Sequence, residues 1–196
     1  MITLTAFSQG SLLSRTVADP STRNGVCVAL CDHWLSRIKQ HPTEPAPRRC
    51  LELAQALSKI ILYQQSYAIQ RRQHGRIEAR HQIGQQLGLE YADQTTIMRV
   101  AVGMKGIRQK LAGDISHAGS AATWTLRFAD NTGHAIAGFC GISGQEPIIR
   151  LQLHVFDPNI GEYIGQLAEL DGILNDLLTK FPKYQTVTEV CRTAEG

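Results

Sequence analysis

The stretch from Thr123 to Phe139 reads TWTLRF, ADNTG, HAIAGF. Its first six residues alternate polar and apolar side chains, which is typical of a strand with one buried face. Asp, Asn and Gly then cluster as they do in tight turns, and small and apolar residues follow. The stretch therefore predicts a β-hairpin with strands at Thr123–Phe128 and His134–Phe139 and a turn at Asp130–Gly133.

The residues before this hairpin have helical periodicity. Apolar side chains recur at helical spacing from Cys27 to Ile38 and again from Leu51 to about Leu87, where Gly75 predicts a kink. A third helix is predicted from Thr96 to Leu111. Residues 1–25 are polar and contain Gly10, Pro20 and Gly25, and they predict an irregular N-terminal arm.

The residues after the hairpin add one strand and one helix to the prediction. The strand spans Ile148 to Phe156, and the amphipathic helix spans Leu167 to Leu178. Residues 182–196 form a polar tail. Helices followed by antiparallel strands predict an α+β fold, with N-terminal helices packed on a C-terminal sheet. Its length of 196 residues fits a single domain, 1–196.

Composition excludes several classes of protein. A net charge of +3 is too mild to indicate nucleic-acid binding. Membrane spans need an apolar run of about 18 residues, and the sequence has none of that length. Five cysteines at irregular spacing, without a Cys-x-x-Cys pair, favour reduced thiols over a disulfide framework or a zinc site. We therefore expect no metal and no cofactor.

Cys27 is the candidate nucleophile. A free thiol has a pKa of about 8.5, so a cysteine enzyme needs a helix N-terminus or a nearby imidazole to form thiolate at neutral pH. Cys27 begins the first predicted helix, directly after Asn24-Gly25-Val26. An ordinary cysteine is more often a small core residue, and this interpretation is kept for Cys31 and the other three.

His134 is the candidate base among seven histidines. It opens an apolar strand just after the turn, where its imidazole can be presented at the edge of a sheet. His117 and His154 are weaker alternatives. His33 lies on the Cys27 helix, but not at a position that faces Cys27.

Asp157 is the candidate for the group that orients the imidazole. It ends the strand that can pair with the His134 strand, so its carboxylate can reach one ring nitrogen while the other faces Cys27. The alternative is a purely structural role, in which Asp157 forms a turn before Pro158-Asn159. Asp130 is a local rival, although its position in the turn favours a capping role.

Acyl transfer also needs hydrogen-bond donors for the developing oxyanion. The backbone N–H of Cys27 is one candidate donor. The side-chain donor is either Gln9, in Ser8-Gln9-Gly10, or Asn24 just before the nucleophile. A plain helix cap is an equally good interpretation of Asn24.

These same segments carry a family resemblance. NGVCVAL around Cys27, GHAIA around His134 and FDPNIGEY around Asp157 resemble the YopT/AvrPphB family of bacterial effector cysteine peptidases. The similarity extends from Phe7 to about Phe181, and DPNxGE is its most distinctive motif. The resemblance implies a papain-like fold, a Cys27, His134, Asp157 triad, and a role for Gln9 upstream of the nucleophile.

The resemblance also implies a setting and a substrate. Family members are secreted by plant- or animal-associated bacteria and cut host proteins, including prenylated Rho GTPases and plant kinases. We therefore expect a virulence effector or toxin that leaves the cell by a specialised, non-Sec route and acts in the host or target-cell cytoplasm. Only residues 1–26 precede the nucleophile, fewer than is usual in the family, which indicates a processed form, an excised domain or a toxin module.

Two other functions compete with endopeptidase activity. The same triad can resolve its acyl-enzyme with an amine or act on side-chain amides, as a transglutaminase, a deamidase or an acyltransferase does. A non-catalytic protein-binding module, docking through the helix from Leu51 to Leu87, is the alternative outside enzymology.

Overall fold

An antiparallel sheet forms the centre of the protein. The computed structural model describes residues 1–14, 25–91, 96–99, 111–144 and 150–195, with backbone alone at 96–99 and 194–195. Within them, seven strands pair in the order β1-β6-β5-β4-β3-β7-β2. Their bounds are β1 Thr3–Ala6, β2 Thr96–Arg99, β3 Ala121–Phe128, β4 Gly133–Ser143, β5 Arg150–Asp157, β6 Gly161–Gln166 and β7 Val187–Glu195.

Helices pack against this sheet, so the predicted α+β class is confirmed. Six α-helices have assigned bounds in the described residues, and 3-10 turns at Leu167–Glu169 and Pro182–Thr186 flank the last one. The helices are α1 Gln9–Leu13, α2 Cys27–Gln40, α3 Ala46–Gln55, α4 Leu57–His74, α5 Arg76–Gln85 and α6 Leu170–Lys180.

In the parts of the chain that the structure describes, two apolar clusters make up the core. The first gathers the buried side chains of α2 to α5 with those of β3, β4 and β5, including Trp34, Leu35 and Phe156. The second gathers α6 and the C-terminal turn with the sheet, including Trp124 and Tyr184. The sheet therefore contributes to both clusters and is buried over much of its area.

The predicted hairpin is present and longer than expected. β3 and β4 pair with Thr125 opposite Ala135 and Leu126 opposite His134. Asn131 has a φ of 63° in the connecting turn, a left-handed conformation that asparagine tolerates. His134 is the second residue of β4 and so lies at the start of a strand, as predicted.

Two helical predictions need correction. The helix predicted over Leu51 to Leu87 begins earlier, at Ala46 after Pro45, and is broken into α3, α4 and α5. Gly75, with a φ of 85°, makes the second break because only glycine adopts that conformation without strain. Thr96–Arg99 belongs to a strand rather than a helix, and 100–110 lie outside the described residues.

Residues 1–25 were predicted to form an irregular arm, but residues 1–14, the part of it described before Gly25, contain a strand and a helix. Thr3–Ala6 pairs with β6, and α1 follows after Ser8, whose hydroxyl accepts a hydrogen bond from the Ser11 backbone N–H. Two further backbone bonds, Phe7 N–H to Ile160 O and Gln9 N–H to Pro158 O, tie the arm to the β5–β6 connection. The start of the chain is thus part of the sheet.

The predicted polar tail, residues 182–196, also contributes to the sheet. Val187–Glu195 lies between β3 and β2, and Val187, Val190 and Cys191 are buried. The charges that suggested a tail are paired: Glu189 contacts Arg76 at 3.2 Å, and Arg192 contacts Asp114 at 2.7 Å.

Gly161 allows β1 to approach β6 closely. Its φ is 136°, and a Cβ atom there would lie 2.0 Å from the Thr5 carbonyl oxygen. We expect Gly161→Ala to destabilise the fold by roughly 3 kcal/mol or more, from combined backbone strain and overlap. Urea unfolding measures the effect. Gly113→Ala is the control, since a Cβ there meets no described atom within 4 Å; equal stability losses in the two variants would contradict the close approach.

Glu162, the second residue of β6, anchors two helices to the sheet. Its buried carboxylate accepts hydrogen bonds from Trp34 Nε1 at 2.9 Å and from Arg49 Nη2 at 2.6 Å. His154 Nδ1 lies 2.9 Å from its Oε1 atom. A buried carboxylate with this many partners fixes α2 and α3 against β6. The start of α2 is thereby held at one position relative to the sheet.

Candidate active site

The N-terminus of α2 presents Cys27. Cys27 is the first residue of that helix, where backbone N–H groups have no partner within the helix, and Val26 occupies the cap position. The side chain is only 8% exposed. The N-terminal end of a helix dipole favours negative charge, so this is a suitable place for a nucleophile.

His134 approaches Cys27 from the start of β4. Because β4 and β5 are antiparallel, the beginning of one strand lies beside the end of the other, and Ala137 pairs with Phe156. His134 Nε2 is 3.0 Å from Asp157 Oδ1, and the ring also interacts with the Cys27 side chain, which helps to raise the pKa of His134. Since Asp157 takes Nε2, Nδ1 is the nitrogen left for the thiol. The three predicted triad residues therefore meet in one place.

The electrostatics of this group favour an imidazolium. Burial lowers the pKa of His134, but the Asp157 charge and hydrogen bond, together with the interaction with Cys27, raise that pKa to about 10. The ordinary value is 6.5. His134 is therefore positively charged at neutral pH, which stabilises a neighbouring thiolate.

Asp157 is fully buried and has three hydrogen-bond donors. Oδ1 accepts from His134 and from the Asn159 backbone N–H at 2.7 Å, while Oδ2 accepts from the Tyr184 hydroxyl. Burial raises the pKa of this carboxyl, but His134, Tyr184 and Asn159 outweigh burial and hold the pKa below its usual range. The carboxylate stays ionised and its orientation is fixed from both oxygens.

Tyr184 is a site residue that sequence reasoning missed. It is 1% exposed and comes from the 3-10 turn Pro182–Thr186, in the segment predicted as a polar tail. Its ring and that of Phe181 each lie with centroids 6.0 Å from the His134 ring. A single aromatic residue in a polar stretch carries no periodic signal, so nothing in the sequence pattern distinguished it.

Removing the Tyr184 hydroxyl should lower stability. Tyr184→Phe leaves one oxygen of a buried carboxylate without its donor, which we expect to cost about 2 kcal/mol in urea unfolding. Tyr163→Phe is the matched control, because Tyr163 donates to Asp176 at 2.6 Å and the Asp176 side chain is 41% exposed. Water can replace that bond, so a control loss as large as that of Tyr184→Phe would contradict the argument.

Gln9 lies beside the nucleophile segment. Its Oε1 atom accepts a hydrogen bond from the Val26 backbone N–H at 2.9 Å, and its Nε2 atom donates to Asn159 Oδ1 at 2.7 Å. Gly25 passes directly over the Gln9 amide, since a Cβ there would be 2.9 Å from Oε1. The side chain is 7% exposed and held at both ends. Asn24, the other oxyanion candidate, lies outside the described residues.

The rival residues occupy other places. Asp130 caps its own turn through Thr132 and pairs with Lys183 at 2.7 Å, which together hold its pKa near 2. His154 is engaged by Glu162. His117 contacts Ser116 through Nδ1 at 2.8 Å. Each therefore has a local partner outside the Cys27 group.

This arrangement suits nucleophilic acyl transfer. It combines a thiol, a charged imidazole that can give up a proton, and a buried carboxylate that fixes the ring. Among the described residues no group of three or more His, Cys, Asp or Glu side chains is arranged to hold a metal ion. Over the same parts of the chain, no helix has the length and apolar character required to span a bilayer.

Comparison with known proteins agrees with this chemistry. The family model of peptidase C58, described as Yersinia/Haemophilus virulence surface antigen, matches residues 7–189. The crystal structure of the Pseudomonas avirulence protein AvrPphB is similar in fold, with a TM-score of 0.70 and 22% sequence identity, over 94% of this chain and 99% of that one. No curated protein matches the sequence significantly.

Proposed function

Because the chain belongs to the peptidase C58 family and is therefore a cysteine peptidase of the virulence effector type, we propose that it is an endopeptidase that cuts a host or target-cell protein through Cys27, His134 and Asp157. The predicted family resemblance and the papain-like α+β fold are confirmed. The observation that supports the proposed triad is the position of His134, whose Nε2 lies 3.0 Å from Asp157 Oδ1 and whose ring interacts with the Cys27 side chain.

In the proposed first step, the Cys27 thiolate attacks the carbonyl carbon of the scissile bond. A sulfur–carbon bond forms, and the carbonyl electron pair moves to oxygen to give a tetrahedral oxyanion. His134 then gives its proton to the leaving nitrogen as the carbon–nitrogen bond breaks. The amine product departs and Cys27 is left as an acyl-enzyme.

In the second step, water replaces the amine. Neutral His134 takes a proton from the attacking water, the tetrahedral intermediate collapses, and the thiolate is released with the carboxylic acid product. Asp157 keeps the ring oriented throughout, and its ionised state favours the imidazolium that begins the next cycle.

The oxyanion would be stabilised by two N–H donors. The Cys27 backbone N–H is at the start of α2. Gln9 is the side-chain candidate that the described contacts support, since Nε2 carries two protons and Asn159 accepts one of them. Asn24 stays the alternative donor.

Family membership also suggests delivery to a host, where a protein is the substrate. We extend this to secretion by a specialised, non-Sec route and action in the host cytoplasm, with a small GTPase or a kinase as the substrate class that the resemblance favours. One catalytic domain, spanning residues 1–196, would carry the whole activity.

A cleavage screen tests the proposal. Host-cell lysate is incubated with wild-type protein or with Cys27→Ala, and new protein N-termini are identified by mass spectrometry. Termini that arise with the wild type alone support the peptidase. Deamidated glutamines or glutamine–lysine cross-links without new termini would instead favour the deamidase or transglutaminase alternative.

A further inference from the structure

The DPNxGE motif does more than supply Asp157. Gly161 admits β1, Glu162 anchors α2 and α3, and the backbone carbonyls of Pro158 and Ile160 hold the N-terminal segment. Asn159 is the remaining polar residue of the motif. Its side chain contacts Gln9, a residue 150 positions away in the sequence.

Asn159 makes two separate bonds with two separate partners. Its backbone N–H donates to Asp157 Oδ1, and its side-chain Oδ1 accepts from Gln9 Nε2. Replacing the side chain removes only the second bond. The contact to the proposed oxyanion donor can therefore be cut without removing the contact to the proposed triad.

The Asn159 contact fixes which way the Gln9 amide points. Val26 N–H requires an oxygen at one end of that amide, and Asn159 Oδ1 requires an N–H at the other. With both bonds made, the second Nε2 proton has a fixed direction. Without Asn159, the amide has lost its acceptor and can rotate away.

We infer that Asn159 is a positioning residue that aligns the Gln9 amide for oxyanion stabilisation. It thereby couples the loop that follows Asp157 to the proposed oxyanion donor. This inference rests on the proposed role of Gln9. It gives the asparagine of DPNxGE a function distinct from that of the aspartate two residues before it.

Two small reagents separate the roles without knowledge of the natural substrate. With p-nitrophenyl acetate, the Cys27 thiolate attacks the ester carbonyl, an oxyanion forms, and p-nitrophenolate leaves as the thioester forms. With iodoacetamide, the thiolate displaces iodide from a saturated carbon, so no oxyanion forms. The burst of p-nitrophenolate reports oxyanion stabilisation, whereas alkylation reports the reactivity of the thiol alone.

We expect Asn159→Ala to slow acylation about 10-fold and to leave the alkylation rate of Cys27 unchanged. In a Gln9→Ala background, Asn159→Ala should cause no further loss, because it acts through Gln9. Asn159→Ser, which keeps a turn-forming residue, should behave like Asn159→Ala. Asn175→Ala, on α6, is the control for loss of an asparagine amide and should retain the wild-type acylation rate.

Three outcomes would overturn the inference. An unchanged acylation rate in Asn159→Ala removes any positioning role. Equal losses in acylation and alkylation show that Asn159 acts through Asp157 and His134 instead. A further loss in the Gln9→Ala background shows that it does not act through Gln9. By contrast, a burst of normal size in Cys27→Ala would refute the proposed function itself.

Discussion

Cys27→Ala abolishes cleavage of the protein substrate, with an expected loss of at least about 10⁴-fold in kcat/KM. No other described side chain in the group can form the acyl-enzyme, since His134 and Asp157 serve as proton carrier and orienting group. The measurement is the rate at which the new N-termini appear. Because the change removes one small side chain, circular dichroism should show a folded protein.

Cys31→Ala is the matched control for Cys27→Ala. Cys31 lies one helical turn further along α2 and is fully buried, and burial raises the pKa of its thiol well above the ordinary value. We expect this variant to lose some stability and to keep its activity. If Cys27→Ala cleaved at the wild-type rate, the thiol mechanism would be wrong.

His134→Ala should cost nearly as much activity as Cys27→Ala, whereas Asp157→Asn should leave measurable turnover. The first change removes the proton carrier, and the second removes an orienting charge while keeping a side chain of the same shape. Asp130→Ala should have a mild effect because Asp130 caps an exposed turn. A greater loss in Asp130→Ala than in Asp157→Asn would mean that the carboxylate is misassigned.

The pH dependence of kcat/KM should also depend on Asp157. The His134 imidazolium is held by Asp157 to about pH 10, so wild-type kcat/KM should fall as the pH rises through that value. In Asp157→Asn, burial still lowers the pKa of His134, but the carboxylate charge that raised this pKa is gone. The fall in kcat/KM should then begin at lower pH, and a profile that does not move would contradict the His134–Asp157 coupling.

The parts of the site that could be predicted lie on regular elements. Cys27 begins a helix with a clear apolar face, and His134 follows a tight turn and opens a run of small and apolar residues, so the local sequence pattern placed both on these elements. Asp157 followed because the ends of neighbouring antiparallel strands meet. The resemblance of DPNxGE to a known motif supported the same carboxylate.

The parts that could not be predicted depend on distant partners. β7 was missed because Glu189 and Arg192 interrupt its apolar pattern, and their charges are paired by residues far away in the sequence. Thr96–Arg99 is a strand because it pairs with the edge of β7. Local propensity carries no information about this pairing with a distant segment. Tyr184 lies in a 3-10 turn too short for periodicity.

The positions of β1 and β7 set the order in which the protein can mature. β7 fills the gap between β3 and β2, and β1 joins β6 from the opposite end of the sequence. Sheets built from such remote pairings fold slowly, because much chain entropy is lost before the contacts form. A nascent chain that has emerged only as far as β6 has Cys27, His134 and Asp157 but not Tyr184. Catalytic competence should therefore arise late, only after synthesis has passed β7.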